Sequence, residues 1–123
     1  MNHPAIDHDA THLTPEDLAA LRENLNEQRL FRNEQLAQLA PAHPSRADHF
    51  LERQAAAQLE VRVKLAASAR MVLADVEAAL RRMDEGRYGV CHRCRTRMDR
   101  EHLLIVPQAR YCTRCRHLRE TSG

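Results

Sequence analysis

Residues 45–86 read SRADHFLERQAAAQLEVRVKLAASARMVLADVEAALRRMDEG, with no Pro anywhere and no Gly before Gly86. Ser45 followed by Asp48 has the form of a helix start, a capping side chain with a carboxylate three residues on. Gly86 stands where a C-terminal glycine cap belongs. The stretch therefore predicts one helix of about 40 residues, roughly 60 Å long at 1.5 Å per residue. Along it Leu51, Ala55, Gln58, Arg62, Leu65, Ala69, Val72, Val76, Ala79 and Met83 recur in alternating steps of four and three, a heptad seam with polar breaks. A helix this long with one apolar stripe needs a partner to cover it.

The partner lies upstream. Thr14-Pro15-Glu16-Asp17 supplies a side-chain cap, a proline suited to the first helical position, and the acid that closes a capping box. The helix it starts is expected to run to about Ala40, because Pro41 and Pro44 cannot continue it. Leu18, Leu21, Leu25, Gln28, Arg32, Gln35 and Leu39 follow the same seam rule. Folding back at Pro41–Pro44 pairs residues whose numbers sum to about 90, setting Leu39 on Leu51, Leu25 on Leu65, Leu21 on Ala69 and Leu18 on Val72. Arg32 then meets Gln58 and Gln28 meets Arg62.

These features predict an antiparallel coiled-coil hairpin over residues 14–85, its tip at about 41–48. Its polar middle either fixes the register or softens the rod so that it bends. Val76, Ala79, Leu80 and Met83 find no partner in the first helix under this register. They are expected to pack on the N-terminal segment or on the cysteine-containing segment after Gly86. Residues 1–13 (MNHPAIDHDATHL) show no periodicity. His3, His8 and His12, with Asp7 and Asp9, have the makings of a loose chelate, but a short polar terminus reads as a flexible tail.

Beyond Gly86 the composition changes. Residues 1–85 carry 10 basic and 14 acidic side chains, whereas residues 86–123 carry 9 Arg against 3 acids and hold all 4 Cys. Cys91-His92-Arg93-Cys94 and Cys112-Thr113-Arg114-Cys115 are two C-x-x-C pairs separated by 17 residues. Each pair can bite one ion from a tight turn, and together they complete a tetrahedral thiolate shell at a spacing typical of zinc sites. Zinc is the default for four soft sulfurs in a closed structural site, although iron fits the same ligands. A filled shell leaves no open position for catalysis, so the chain is not expected to be an enzyme. His92 and His117 are expected at the surface. A module of under 40 residues with few apolar groups should not fold without its metal.

Composition narrows the class further. The chain has 123 residues and 14.2 kDa, 3% aromatic and 29% charged, which suits long helices more than a sandwich or an α/β core. No stretch approaches a membrane span, and no secretory order is seen at Met1–Thr14. A soluble, cytoplasmic protein is expected. Disulfides would need an oxidising compartment, and a thiol oxidoreductase needs one C-x-x-C near a βαβ unit. The nine arginines of the module suit phosphate contacts. Without aromatic interleaving or a base-reading helix, they favour docking on an acidic protein surface over direct DNA binding.

Gly86-Arg87-Tyr88-Gly89-Val90-Cys91-x-x-Cys94, then Leu103, Pro107, Ala109 and Cys112-x-x-Cys115, resembles the zinc-finger signature of the DksA/TraR family. A coiled-coil hairpin directly upstream is that family's layout, and the resemblance spans roughly residues 14–120. It implies a mainly α fold: the hairpin, then a small four-cysteine zinc finger at 86–123 with a short C-terminal helix. It implies a monomeric bacterial transcription regulator that binds RNA polymerase. The finger and C-terminal helix hold the rim, and the hairpin enters the secondary channel toward the active centre, often together with ppGpp. On this reading the ligands are Cys91, Cys94, Cys112 and Cys115. Tip contacts fall to His43, Ser45, Arg46, Ala47 and Asp48, and rim docking to Arg87, Arg97, Arg116 and Arg119.

The sequence departs from the family at the tip. Where regulators of the family carry a D-x-x-D-x-A pattern, this chain has Ala42-His43-Pro44-Ser45-Arg46-Ala47. Arg46 and Ala47 match, but both acids are replaced, so an altered or ppGpp-independent output is expected. Arg95 follows Cys94 where the family commonly has Gly, and His102 replaces a frequent Arg. The rival reading is a nucleic-acid-binding zinc ribbon with a helical dimerisation stem.

Overall fold

The computed structural model describes residues 13–40 and 52–122. Two long helices, α1 (Pro15–Leu39) and α2 (Glu52–Asp84), are followed by α3 (Arg100–Ile105) and α4 (Thr113–Ser122). Among the described residues no strand forms; Val90 and Arg97 make one isolated antiparallel bridge. The mainly helical hairpin with a terminal module is as expected. Pro41–Pro44, the helix start at Ser45 and the tip residues His43, Ser45, Arg46, Ala47 and Asp48 lie outside the described residues.

The helix ends follow from local chemistry. Thr14 caps α1: its Oγ1 accepts from Asp17 N at 2.9 Å, and Asp17 Oδ2 accepts from Thr14 N at 3.1 Å, with Pro15 at the first position. At the far end of α2, Gly86 N donates to Met83 O at 3.2 Å and Arg87 N to Arg82 O at 2.8 Å. That bond pair is a Schellman cap, which requires the left-handed backbone Gly86 adopts at φ +75°.

The helices run antiparallel, but their register differs from the expected one. Leu25, fully buried, packs with Val76, Ala79 and Leu80 rather than with Leu65, which is 46% exposed. Arg22 Nη1 pairs with Asp84 Oδ1 at 2.9 Å, and Arg62 Nη2 donates to Gln38 O at 2.9 Å. The first helix is thus displaced about three turns toward the base of the second. The expected partnerless set Val76, Ala79 and Leu80 has its partner in α1.

The reason lies in the distribution of apolar side chains. The residues most able to bury surface on α2 fall between Val72 and Leu80, and the displaced register covers them at the cost of leaving Leu59 and Leu65 exposed. Small side chains at Ala69 and Ala79, both fully buried, let the helices approach closely.

The anticipated polar matches are not made. Gln58 is exposed, Arg32 Nη1 donates to Gln35 Oε1 at 2.9 Å within its own helix, and Gln28 Nε2 donates to Asn24 Oδ1 at 2.8 Å. Gln28 Nε2 also reaches Gln108 Oε1 at 3.4 Å, a contact across to the module.

A second cluster joins the hairpin base to the module: Leu13, Leu21, Cys91, Met98, Leu103 and Cys115. Leu13, assigned to the tail by sequence, is 7% exposed and belongs to this core. Met83 and Tyr88 touch both clusters and make them continuous. Gly89, next to Tyr88, takes a backbone conformation at φ +91° that favours glycine, and a Cβ there would stand at ordinary contact distance from Leu103 Cδ1 (3.4 Å) and Leu13 Cδ1 (3.6 Å).

Candidate metal centre

The module is built from two knuckles held face to face. In the first, Cys91 N donates to Thr96 O at 2.9 Å, Arg95 N to Cys91 O at 3.0 Å, and Met98 N to Gly89 O at 2.8 Å. These bonds curl residues 91–95 so that both sulfurs point the same way. The second knuckle is the entrance of α4: Cys112 precedes it, Cys115 lies in its first turn, and Cys115 N donates to Cys112 Sγ at 3.4 Å. His92 N donating to Arg110 O at 2.8 Å ties the two knuckles together.

All four Sγ atoms lie within 4.8 Å of one another. Cys94 Sγ and Cys112 Sγ are 3.8 Å apart. This matches the edge of a tetrahedron with metal–sulfur bonds of about 2.3 Å, about 3.8 Å, and is far beyond the roughly 2.05 Å of a disulfide. None of the four cysteines is in a disulfide.

Burial raises the Cys91 thiol, but the backbone N–H groups of Cys94, Cys112 and Arg93 outweigh it and bring the thiol down to about 6. The Thr96 hydroxyl lowers Cys94, whereas burial and the neighbouring sulfurs push Cys115 up to about 12. Four thiolates this close repel one another, so full ionisation needs a cation in their midst. The donor set fits one soft metal ion held by Cys91, Cys94, Cys112 and Cys115.

Two ion pairs lock the module to the hairpin. Arg100 Nε and Nη2 donate to Asp17 Oδ2 and Oδ1 at 2.8 and 3.0 Å, a bidentate fork on the capping-box acid of α1. That guanidinium, helped by Thr14 N, holds the Asp17 carboxyl well below the usual carboxylate range. Arg110 Nε donates to Asp75 Oδ1 of α2 at 2.5 Å. Tyr88 Oη donates to Pro107 O at 2.8 Å, and burial drives its phenol well above the ordinary value.

Three of the expected rim arginines line recesses of the module. Arg116 and Arg119 border a cavity of about 560 Å³ with Met71, Asp75, His102 and Tyr111, and Arg119 lies 4.5 Å over the Tyr111 ring. Arg87 sits at a different cavity and pairs with Glu85, while Arg97 forms the bridge to Val90. His92 and His117 are exposed as expected.

Sequence reasoning missed Arg82, 6% exposed in the last turn of α2. Its one signal was an arginine three residues after Ala79, on the apolar side of the helix. It also missed the clamps Asp17–Arg100 and Asp75–Arg110, whose partners are far apart in the chain.

Arg95 takes the left-handed backbone, φ +64°, in the first knuckle. A non-glycine residue there costs about 1 kcal/mol. Arg95→Gly should therefore stabilise the metal-loaded protein by about 1 kcal/mol, seen as a raised midpoint in urea unfolding. A lowered midpoint would contradict this account of the turn.

No known protein-family profile matches the chain. A stretch of 43 residues is 35% identical to an uncharacterised protein of Aquifex aeolicus (strain VF5). The match covers 35% of this chain and 30% of that protein, so less than a third of the relative's length is spanned. The fold is similar to that of transcription factor DksA2 from Pseudomonas aeruginosa, with a TM-score of 0.54 at 23% identity over 85% of this chain and 78% of that one. Among the described residues no helix is long and apolar enough to cross a membrane.

Proposed function

We propose that this chain is a non-enzymatic regulator of bacterial transcription that binds RNA polymerase as a monomer in the cytoplasm, its hairpin entering the secondary channel. The observation that carries the reading is a self-paired antiparallel helix rod standing on a base with four clustered thiols, in a chain whose fold is similar to that of a transcription factor. The rod has the dimensions for a narrow pore: α2 alone, with 33 residues, is about 50 Å long at 1.5 Å per residue. Its base is clamped to the module by Asp17–Arg100 and Asp75–Arg110, so a docked module would aim the rod.

Zinc is the ion proposed for Cys91, Cys94, Cys112 and Cys115, since a closed thiolate shell suits a redox-inert structural ion. Arg87, Arg97, Arg116 and Arg119 are proposed to dock on the polymerase rim. His43, Ser45, Arg46, Ala47 and Asp48 are proposed to reach toward the active centre. With Ala42 and Ser45 in place of the two acids, the tip cannot act on a nearby metal or basic loop as an acidic tip does. The output is then altered or independent of ppGpp.

The metal-loaded protein is expected to co-elute with core RNA polymerase and to displace another secondary-channel factor in a concentration-dependent way. Undiminished binding of that competitor at saturation would remove the proposal. Ala42→Asp with Ser45→Asp should change transcription output, assayed with and without ppGpp, while leaving competition intact. Binding to duplex DNA with a log–log salt slope of about −0.9 per phosphate contact would favour the zinc-ribbon alternative.

A further inference from the structure

A recess of about 510 Å³ between the end of α2 and the first knuckle is walled by Arg81, Arg82, Arg87, Arg95 and Arg110. The anions on that wall are Glu85, which Arg87 engages, and the Cys91 sulfur. Arg110 is drawn off to Asp75 of α2. Arg82 is closed in, donating to Ala109 O at 3.3 Å. Four thiolates around a divalent ion carry a charge of roughly −2 in all. Even with the whole of it set against the wall, together with Glu85 and Asp75, the five guanidiniums keep a positive balance. The part of that surplus open to a partner sits on Arg81 and Arg95. Both are exposed, and neither is paired with a carboxylate among the described residues.

Chain of matching chemistry begins beside the recess. Leu13 is buried in the module core, and its Cδ1 lies 3.6 Å from where a Cβ on Gly89 would stand. Gly89 adjoins Val90, which lines the recess. The segment before Leu13 holds Asp7 and Asp9 and neither Lys nor Arg. At about 3.3 Å per extended residue, Asp9 reaches roughly 13 Å and Asp7 roughly 20 Å from that anchor. In extended chain, residues two apart share a face, so both carboxylates can meet one wall.

We propose that residues 1–12 of this chain bind in cis across the recess, the Asp7 and Asp9 carboxylates accepting from the Arg81 and Arg95 guanidiniums. A guanidinium and a carboxylate match as a charge-assisted, two-pronged pair. Exposed pairs of this kind are weak between separate molecules. A tether of a few residues sets an effective concentration in the millimolar range, which makes them count. Arg87, proposed above to dock on the polymerase rim, lines the same recess. The segment therefore shields that wall from an acidic partner until it is displaced. That consequence rests on the proposed function, whereas the contact itself does not.

The test is amide NMR of the full-length, metal-loaded protein, comparing the parent with Asp7→Asn/Asp9→Asn and with Arg81→Gln. The double variant should shift the amides of Gly86, Val90 and Arg95, and Arg81→Gln should shift those of Asp7, His8 and Asp9. Salt at about 1 M, where the screening length falls to about 3 Å, should move both sets in the parent in the same directions. Glu23→Gln, which removes an exposed acid of α1, should move neither. An endoproteinase that cuts before aspartate should cleave at Asp7 and Asp9 about 3-fold faster in Arg81→Gln than in the parent, since cleavage tracks the undocked fraction. Amides of Asp7–Asp9 indifferent to Arg81→Gln, recess amides identical in the parent and the double variant, or shifts confined to the Arg116–Arg119 cavity would each overturn the contact. So would shifts that depend on protein concentration, which mark the segment of a second copy. No polymerase enters the experiment, so its outcome is separate from that of the competition assay.

Discussion

Extraction of the metal, or Cys91→Ser, is expected to abolish the ordered packing of residues 86–122. The centre's own ligands are structural core: Cys91 is fully buried and Cys115 4% exposed, in one cluster with Met98, Leu103, Leu13 and Leu21. Without a cation, the four sulfurs must either repel as thiolates or be protonated. A structural zinc site in a small finger is worth about 10–16 kcal/mol of apparent binding energy near neutral pH. That equals or exceeds the roughly 5–15 kcal/mol by which ordinary domains are stable. The remaining apolar contacts cannot replace it.

Two tyrosines make the effect directly readable. The protein has no Trp, and its two Tyr, Tyr88 and Tyr111, both sit in the module. Chelation should erase the near-ultraviolet tyrosine circular dichroism. It should also bring the Tyr88 phenol, now held high by burial, down to an ordinary titration at about 10. Metal-free protein that keeps its tyrosine signal and its raised phenol would refute the structural role of the centre. Metal-free, oxidised and still folded protein would instead point to thiol redox chemistry.

Much of this was legible in the chain because its signals are local. Thr14, Pro15 and Asp17 sit within one turn, so the start of α1 could be read to the residue. The knuckles of Cys91–Cys94 and Cys112–Cys115 have the internal spacing of ligand pairs that can share one ion. Gly86 marked the end of α2 for the same reason. The register was not legible, because a heptad seam presents much the same apolar stripe after one helix slides along its partner by a few seam steps. The pattern fixes which face is buried but not what lies opposite.

The clamps failed to show for a related reason. Asp17 and Arg100 are 83 residues apart in the chain, and Asp75 and Arg110 are 35 apart. Nothing in the neighbourhood of either arginine singles it out among nine in the module. Arg82 broke the apolar pattern of α2. A break of that kind reads equally as a solvated position until the packing of the module over it is known.

Leu25→Ala is the second large effect expected, and it discriminates between registers. Leu25 has no exposed surface and is enclosed by Val76, Ala79 and Leu80. Truncating a leucine so enclosed costs about 2–5 kcal/mol, through lost transfer energy and the cavity left behind. In a hairpin whose described core is this small, that is a large share of the total. Urea unfolding of the metal-loaded protein, followed by helical circular dichroism, should show the midpoint falling with little change in slope.

Leu65→Ala is the companion measurement. Were Leu25 packed on Leu65, the two truncations would be comparably damaging. With Leu65 46% exposed, its loss should be worth within about 0.5 kcal/mol. A double-mutant cycle separates the registers directly: Leu25→Ala with Val76→Ala should be non-additive by about 0.5–3 kcal/mol, as contacting residues are, while Leu25→Ala with Leu65→Ala should add. Equal costs at Leu25 and Leu65, or coupling between that pair, would restore the symmetric hairpin. It would then detach α1 from the module core that Leu13 and Leu21 now share with Cys91 and Cys115.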